Sequence, residues 1–231
     1  MRVTLLHGFA GDPSAWDGVI GAWASRTTVP DPIALPGHGG GDVLAGWHAN
    51  LDQIAVSLGS VDGVVGYSFG ARVALGLLVA RKCSRAVLIG CNPGIDDRDG
   101  RKRDDARWAD LLRTRGIAAF VDAWEAQPLF ATQVRAPAVV REARRARRLA
   151  LDPEQLARCL EEMGLAAMPD YRGALAAFAD RITLVVGADD GKFIGIANAL
   201  GQPYVAIPDS GHDPTLEQPA RLARVIARAL D

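Results

Sequence analysis

The sequence predicts an α/β protein: a mostly parallel, doubly wound sheet with a helical cap inserted late in the chain. Short apolar runs recur at 3–6, 27–35, 61–66, 86–90, 181–187 and 204–207. Most are continuous rather than alternating, as in parallel strands covered on both faces. Helical patterns lie between them, at 14–24, 49–58, 70–82, 193–200 and 215–230, and such alternation gives a parallel sheet. It is interrupted once, from 97 to 178, where helical patterns occur without a strand. An insertion of that kind is expected to cover the carboxyl ends of the strands, where open α/β sheets bind ligands. The expected division is a core of 1–96 and 179–231 and a cap of 97–178.

Taken in order, the elements carry their own punctuation. The first strand runs into Leu6-His7-Gly8-Phe9. It is too short for a signal peptide or a membrane span. The second ends in Leu35-Pro36-Gly37-His38-Gly39, a loop whose histidine is expected to pack locally. The third, Val61 to Val65, ends in Gly66-Tyr67-Ser68-Phe69-Gly70 and passes at once into a helical pattern. That is the strand–elbow–helix setting of a nucleophilic serine. The fifth precedes Gly187-Ala188-Asp189-Asp190-Gly191-Lys192-Phe193, and the sixth precedes Asp209-Ser210-Gly211-His212.

At 231 residues the chain can build one sizeable core. Its 49% apolar and 23% charged residues are ordinary for a globular protein, and a net charge of −1 gives no field that would draw nucleic acid or a membrane surface. Cys83, Cys91 and Cys159 are scattered without CxxC spacing. They point to a reducing compartment and to neither a disulfide framework nor a zinc site. The expected location is cytoplasmic. Gly39-Gly40-Gly41 lacks the lysine of a phosphate loop. No metal or cofactor is expected.

A serine hydroxyl needs a histidine base, and the histidine needs an orienting carboxylate. In this topology the chain order is serine, acid, histidine. Ser68 and His212 fit the first and last places. Asp189 and Asp190 compete for the acid, and Gly-x-x-Asp spacing selects Asp190; a helix N-cap is the other use for an aspartate here. The backbone N–H groups of Phe9 and Phe69 are the expected oxyanion donors.

Longer segments narrow the match. They are Gly11-Asp12 and Trp16 after the His-Gly loop, Ala71-Arg72-Val73-Ala74 after the elbow, Asn92-Pro93-Gly94-Ile95, the Arg-rich run from Arg101 to Trp108, Trp124-Glu125-Ala126-Gln127-Pro128-Leu129-Phe130, and Lys192-Phe193. With these the chain resembles the 2-succinyl-6-hydroxy-2,4-cyclohexadiene-1-carboxylate synthases, menaquinone-pathway lyases with the α/β-hydrolase fold. The resemblance implies elimination of pyruvate from a small anionic cyclohexene carboxylate. Ser68, Asp190 and His212 would act as a base without an acyl-enzyme. It implies substrate binding by Tyr67, Arg72, Arg101, Trp124 and Arg148. Arg141, Arg144, Arg145 and Arg147 then read as a solvated helix face. Three places depart from the family: Ala71 stands for a second elbow glycine, Asp213-Pro214-Thr215 follows His212 where a second histidine is frequent, and Asn92 stands where other residues occur. A serine hydrolase acting on small esters or carbon–carbon bonds is the competing reading, and a non-catalytic binding protein is a third. A monomer or weak homo-oligomer is expected.

Overall fold

The computed structural model describes residues 1–23 and 28–230. Six strands form one sheet: β1 (Arg2–Leu6), β2 (Val29–Ile33), β3 (Gly63–Tyr67), β4 (Arg85–Ile89), β5 (Ile182–Gly187) and β6 (Tyr204–Ile207). Their order is β2-β1-β3-β4-β5-β6, and every neighbouring pair is parallel. The expected sheet is therefore present. The last residue of the helix expected at 14–24 and the first residue of the strand expected at 27–35 lie outside the described residues.

Side chains alternate across a strand, and the apolar clusters follow that rule. Leu6, Val64 and Leu88 pack on one face with α2 (Trp47–Leu58) and α3 (Phe69–Val79), through Leu51, Ile54, Val73 and Leu77. Leu5, Val65 and Val87 pack on the other, against Val19 of α1 (Asp17–Gly21) and Leu222 and Ile226 of α10 (Pro219–Leu230). The helix expected at 14–24 is a 3₁₀ turn, Pro13–Trp16, leading into the short α1. The one expected at 215–230 is broken into α9 (Pro214–Glu217) and α10, because Pro219 has no N–H to donate and restricts the residue before it.

Between β4 and β5 the chain is helical: α4 (Arg98–Glu125), a 3₁₀ segment Pro128–Arg135, α5 (Ala138–Leu149), α6 (Pro153–Met163) and α7 (Arg172–Ala177). α4 is broken at Gly116, whose φ of +74° a glycine adopts freely. Leu112, Phe120, Leu156 and Leu160 from α4 and α6 pack with Ala10 and Phe9 of the loop after β1. The growth of the sheet reverses between β1 and β3, and a crevice opens at their carboxyl ends. The loop after β1 and Ser68 after β3 occupy that crevice, beneath α4 and α6.

Candidate active site

Ser68 sits at φ +53°, a conformation that costs a non-glycine residue about 1–3 kcal/mol unless its surroundings impose it. Here they do. A β-carbon at Gly66 would lie 2.1 Å from the Gly70 carbonyl oxygen, and one at Gly70 would lie 2.3 Å from that of Leu6. Both glycines let the turn close. The Ser68 N–H donates to Ile89 O at 2.8 Å, tying the turn to β4. The hydroxyl is thereby presented at the start of α3.

Ser68 Oγ lies 3.0 Å from His212 Nε2, and His212 Nδ1 lies 2.8 Å from Asp190 Oδ2. With the proton on Nδ1 donated to the carboxylate, Nε2 is free to accept from the hydroxyl. His212 and Asp190 are both buried. The other oxygen of Asp190 accepts the Phe193 N–H at 3.2 Å and caps α8 (Gly191–Ala199). The two uses of an aspartate that the sequence sets as alternatives, capping the helix and bonding the histidine, fall on one residue. Asp189 turns outward and pairs with Arg135. The His212 ring is packed by Phe193, with centroids 4.4 Å apart, and by Tyr67 at 5.4 Å.

The amides of Phe9 and Phe69 donate to no other group among the described residues. Phe69 opens α3, where the first N–H groups have no intrahelical acceptor and the helix dipole favours negative charge. The loop carrying Phe9 is fixed by two histidines. His7 donates through Nδ1 to Gly8 O at 2.8 Å and accepts the Leu35 N–H on Nε2 at 3.1 Å. His38 donates to Pro36 O at 3.0 Å and accepts the Ala10 N–H at 3.0 Å. Burial holds both neutral: the pKa of His7 falls to about 4, and that of His38 to about 3 with help from the neighbouring His7. The local packing expected of His38 is what the structure contains, and His7 packs in the same way.

Ser68 stands between two cavities. One, of about 140 Å³, is lined by Ser68, His212, Arg72, Arg101, Trp124 and Lys192 among others. The second, of about 40 Å³, is lined by Ser68, Tyr67, Trp124, Arg144, Arg148 and Asp213 among others. The residues expected around a substrate thus divide into two groups that share Ser68 and Trp124.

Their charges are compensated unequally. Arg101 is held by Asp105 through Nε at 2.9 Å and Nη2 at 2.8 Å. Arg148 pairs with Glu125 at 2.8 Å and donates to Ala10 O at 3.3 Å, so it braces the loop after β1 as well as facing the smaller cavity. Arg72 has no carboxylate partner among the described residues. It donates to Met163 O at 3.2 Å and lies over the Phe69 ring. Burial, then the like charge of Arg101, push its pKa down to about 10.

Two features escape a reading of the residues in order. Arg144, on the basic helix expected to be a solvated face, forms a buried ion pair with Asp213, which also accepts from Thr215 Oγ1 at 2.5 Å and Gln133 Nε2 at 3.3 Å. No spacing rule reaches across that separation. Asp105 stands four residues after Arg101, a helical spacing that does signal their pairing.

The chain matches the alpha/beta hydrolase family over residues 5–225. It is 31% identical to the 2-succinyl-6-hydroxy-2,4-cyclohexadiene-1-carboxylate synthase of Escherichia coli O139:H28, over 99% of this chain and 93% of that one. It is 33% identical to the enzyme of the same name from Enterobacter sp. strain 638, over 99% and 91%. Among solved structures it is similar to MenH from S. aureus, with a TM-score of 0.90 and 26% identity over 100% of this chain and 93% of that one. The fold is shared with a thermophilic esterase from Thermogutta terrifontis, at a TM-score of 0.83 and 24% identity over 100% and 89%.

Proposed function

Because the chain belongs to the α/β hydrolase family and, within it, to the 2-succinyl-6-hydroxy-2,4-cyclohexadiene-1-carboxylate synthases, we propose that it catalyses their reaction in menaquinone biosynthesis. It eliminates pyruvate from 2-succinyl-5-enolpyruvyl-6-hydroxy-3-cyclohexene-1-carboxylate. The observation that carries this reading is Arg72. It is a partly buried cation with no carboxylate partner among the described residues, on the same cavity wall as Ser68 and His212. A pocket for a neutral acyl chain is apolar, whereas a guanidinium without a partner matches a substrate carboxylate with two parallel hydrogen bonds.

The chemistry is proton abstraction followed by elimination. His212 takes the Ser68 proton, and the alkoxide removes the ring proton alpha to the succinyl carbonyl. The negative charge moves onto that carbonyl oxygen, where the N–H groups of Phe9 and Phe69 receive it. As the carbonyl re-forms, electrons from the broken C–H bond make the first ring double bond. The original double bond shifts along the ring, and the carbon–oxygen bond to the enolpyruvyl group breaks. The leaving enolate regains a proton from His212 and becomes pyruvate. Asp190 holds Nδ1–H and stabilises the imidazolium while it exists. Tyr67, Arg101, Trp124 and Arg148 bind substrate beside Arg72.

The reading extends to a cytoplasmic enzyme that works as a monomer or weak homo-oligomer without nucleic acid or membrane partners. Its three cysteines are free and buried, and no helix among the described residues is long and apolar enough to cross a membrane. The test is pyruvate release from the enolpyruvyl precursor made in situ, beside hydrolysis of p-nitrophenyl acetate and butyrate. Rapid pyruvate release that disappears in Ser68→Ala, with little ester cleavage, is expected. Fast ester hydrolysis without pyruvate would replace this reading with a serine hydrolase.

A further inference from the structure

The geometry points to Lys192 as a carboxylate-binding residue at the mouth of the Ser68 cavity, selecting polyanionic substrates from solution. Four residues, Asn92, Arg101, Leu165 and Lys192, line both the Ser68 cavity and the open groove outside it. They form the threshold between the two. Lys192 is exposed, and its Nζ makes no ion pair or hydrogen bond among the described residues. It lies 5.7 Å from the centroid of Phe193, whose ring packs on His212. Its backbone stands between Asp190, tied to His212, and Phe193, tied to Asp190. The lysine stem therefore rises from a fixed base, and only its flexible end has to find the ligand.

The acids of the outer groove are already engaged. Asp96 pairs with Arg172 at 2.7 Å, Asp104 with Arg107 at 2.8 Å, and Asp97 accepts the Gly100 N–H at 2.7 Å. Arg101 is shared with Asp105. Among the described residues that line the two spaces, the cations left without a carboxylate partner are Arg72 inside, Lys192 at the threshold and Arg103 on the outer wall, which does not reach the Ser68 cavity. A ligand carrying a single carboxylate can satisfy only one of Arg72 and Lys192. A ligand with carboxylates at two ends can satisfy both, and the outer charge also steers it inward. This inference rests on the proposed carboxylate substrate and adds a specificity residue to it.

The test is calorimetric binding of 2-succinylbenzoate, a stable aromatic dicarboxylate with the succinyl and ring carboxylates of the proposed product, to wild type, Lys192→Met and Lys192→Arg. At low salt the methionine variant should bind about tenfold more weakly, the effect of one charge-assisted hydrogen bond. The arginine variant should bind as wild type does. The deficit should shrink at about 1 M salt, where exposed charges are screened beyond roughly 3 Å. Benzoate, with one carboxylate, should bind wild type and Lys192→Met alike. Equal dicarboxylate affinity in wild type and Lys192→Met at low salt, a deficit equal for benzoate, or no dicarboxylate binding by wild type each overturns the assignment. Dicarboxylate binding that depends on Lys192 in an enzyme that releases no pyruvate overturns the proposed reaction and leaves the role of Lys192 standing.

Discussion

Gly90 makes the space that His212 occupies. A β-carbon on Gly90 would lie 2.8 Å from His212 Cε1 and 3.1 Å from Nδ1, and Gly90 itself has φ +57°. A residue outside the triad, one position past β4, thus fixes where the imidazole stands. Gly90→Ala should shift the ring and lower kcat by about 10²-fold, the cost of a displacement on the order of 1 Å. The same change should cost about 1–2 kcal/mol of stability from the left-handed backbone. A kcat within threefold of wild type in a folded Gly90→Ala protein would show that the ring has room to spare.

The two adjacent aspartates should separate cleanly. Asp190 is buried against His212, whereas Asp189 is exposed and paired with Arg135. Asp190→Asn should lower turnover by about 10⁴-fold through the wrong histidine tautomer. Asp189→Asn should leave turnover near normal and change stability by less than about 1 kcal/mol. Steady-state kinetics and urea midpoints on both variants decide it, and the opposite ranking would move the acid to Asp189.

Arg72 should trade stability against activity. Its guanidinium is desolvated and has no ion-pair partner among the described residues, Asp105 acting on it only from a distance, so Arg72→Met removes an electrostatic cost while keeping apolar contact with Phe69. The variant should melt no lower than wild type. Its kcat/KM should fall by about 2–5 kcal/mol in transition-state terms, the effect of truncating one partner of a buried charge pair. Unchanged kcat/KM would remove Arg72 from the substrate.

His7 and His38 should make the fold sensitive to mild acid. Their folded pKa values, about 4 and about 3, lie below the ordinary 6.5. Above pH 6.5 both states carry neutral rings and nothing is lost. Below it the unfolded chain takes up protons that the folded chain refuses, so stability falls with decreasing pH. The slope approaches about 1.4 kcal/mol per pH unit from each histidine. The loss levels off below the folded values. Urea midpoints between pH 8 and 4 should show this slope, and His38→Gln, which can still accept the Ala10 N–H, should show a shallower one. Equal slopes would assign the acid sensitivity elsewhere.

The Arg144–Asp213 pair should be expensive to break from one side. Asp213 is almost wholly buried, so Arg144→Met leaves a desolvated carboxylate whose donors among the described residues are Thr215, Gln133 and the Leu216 N–H. The expected loss is about 3 kcal/mol, and Asp213→Asn in the same chain should recover part of it. Additive losses in the double variant would show that the pair does not couple.

The sheet, and the three loops that bring Ser68, Asp190 and His212 together, were legible because each is written in local pattern. Continuous apolar runs mark parallel strands, and Gly66 and Gly70 mark a turn that only glycines can close. The serine, acid and histidine loops each follow such a run. Element ends were less legible: Pro219 breaks the last helix, yet the hydrophobic pattern runs through it. Least legible were partners brought together by the fold. Arg144 and Arg148 sit one turn apart on one helix, yet Arg144 faces Asp213 and Arg148 faces Glu125 and Ala10 O. Which arginines of a basic stripe meet solvent depends on what packs against it, and helical spacing holds no record of that.

The point where the chain leaves the sheet adjoins the point where it returns. β4 and β5 are neighbours, with Ala86 opposite Ile182 and Ile89 opposite Val185. The backbone hydrogen bonds of the sheet therefore hold the two ends of residues 91–181 side by side, whatever that stretch contains. Doubling the length of such a loop costs only about 0.6 kcal/mol in closure entropy. The stretch is in effect a cassette. A different set of helices could be spliced between Gly90 and Ile182, re-roofing Ser68 for a new substrate without re-registering a single strand.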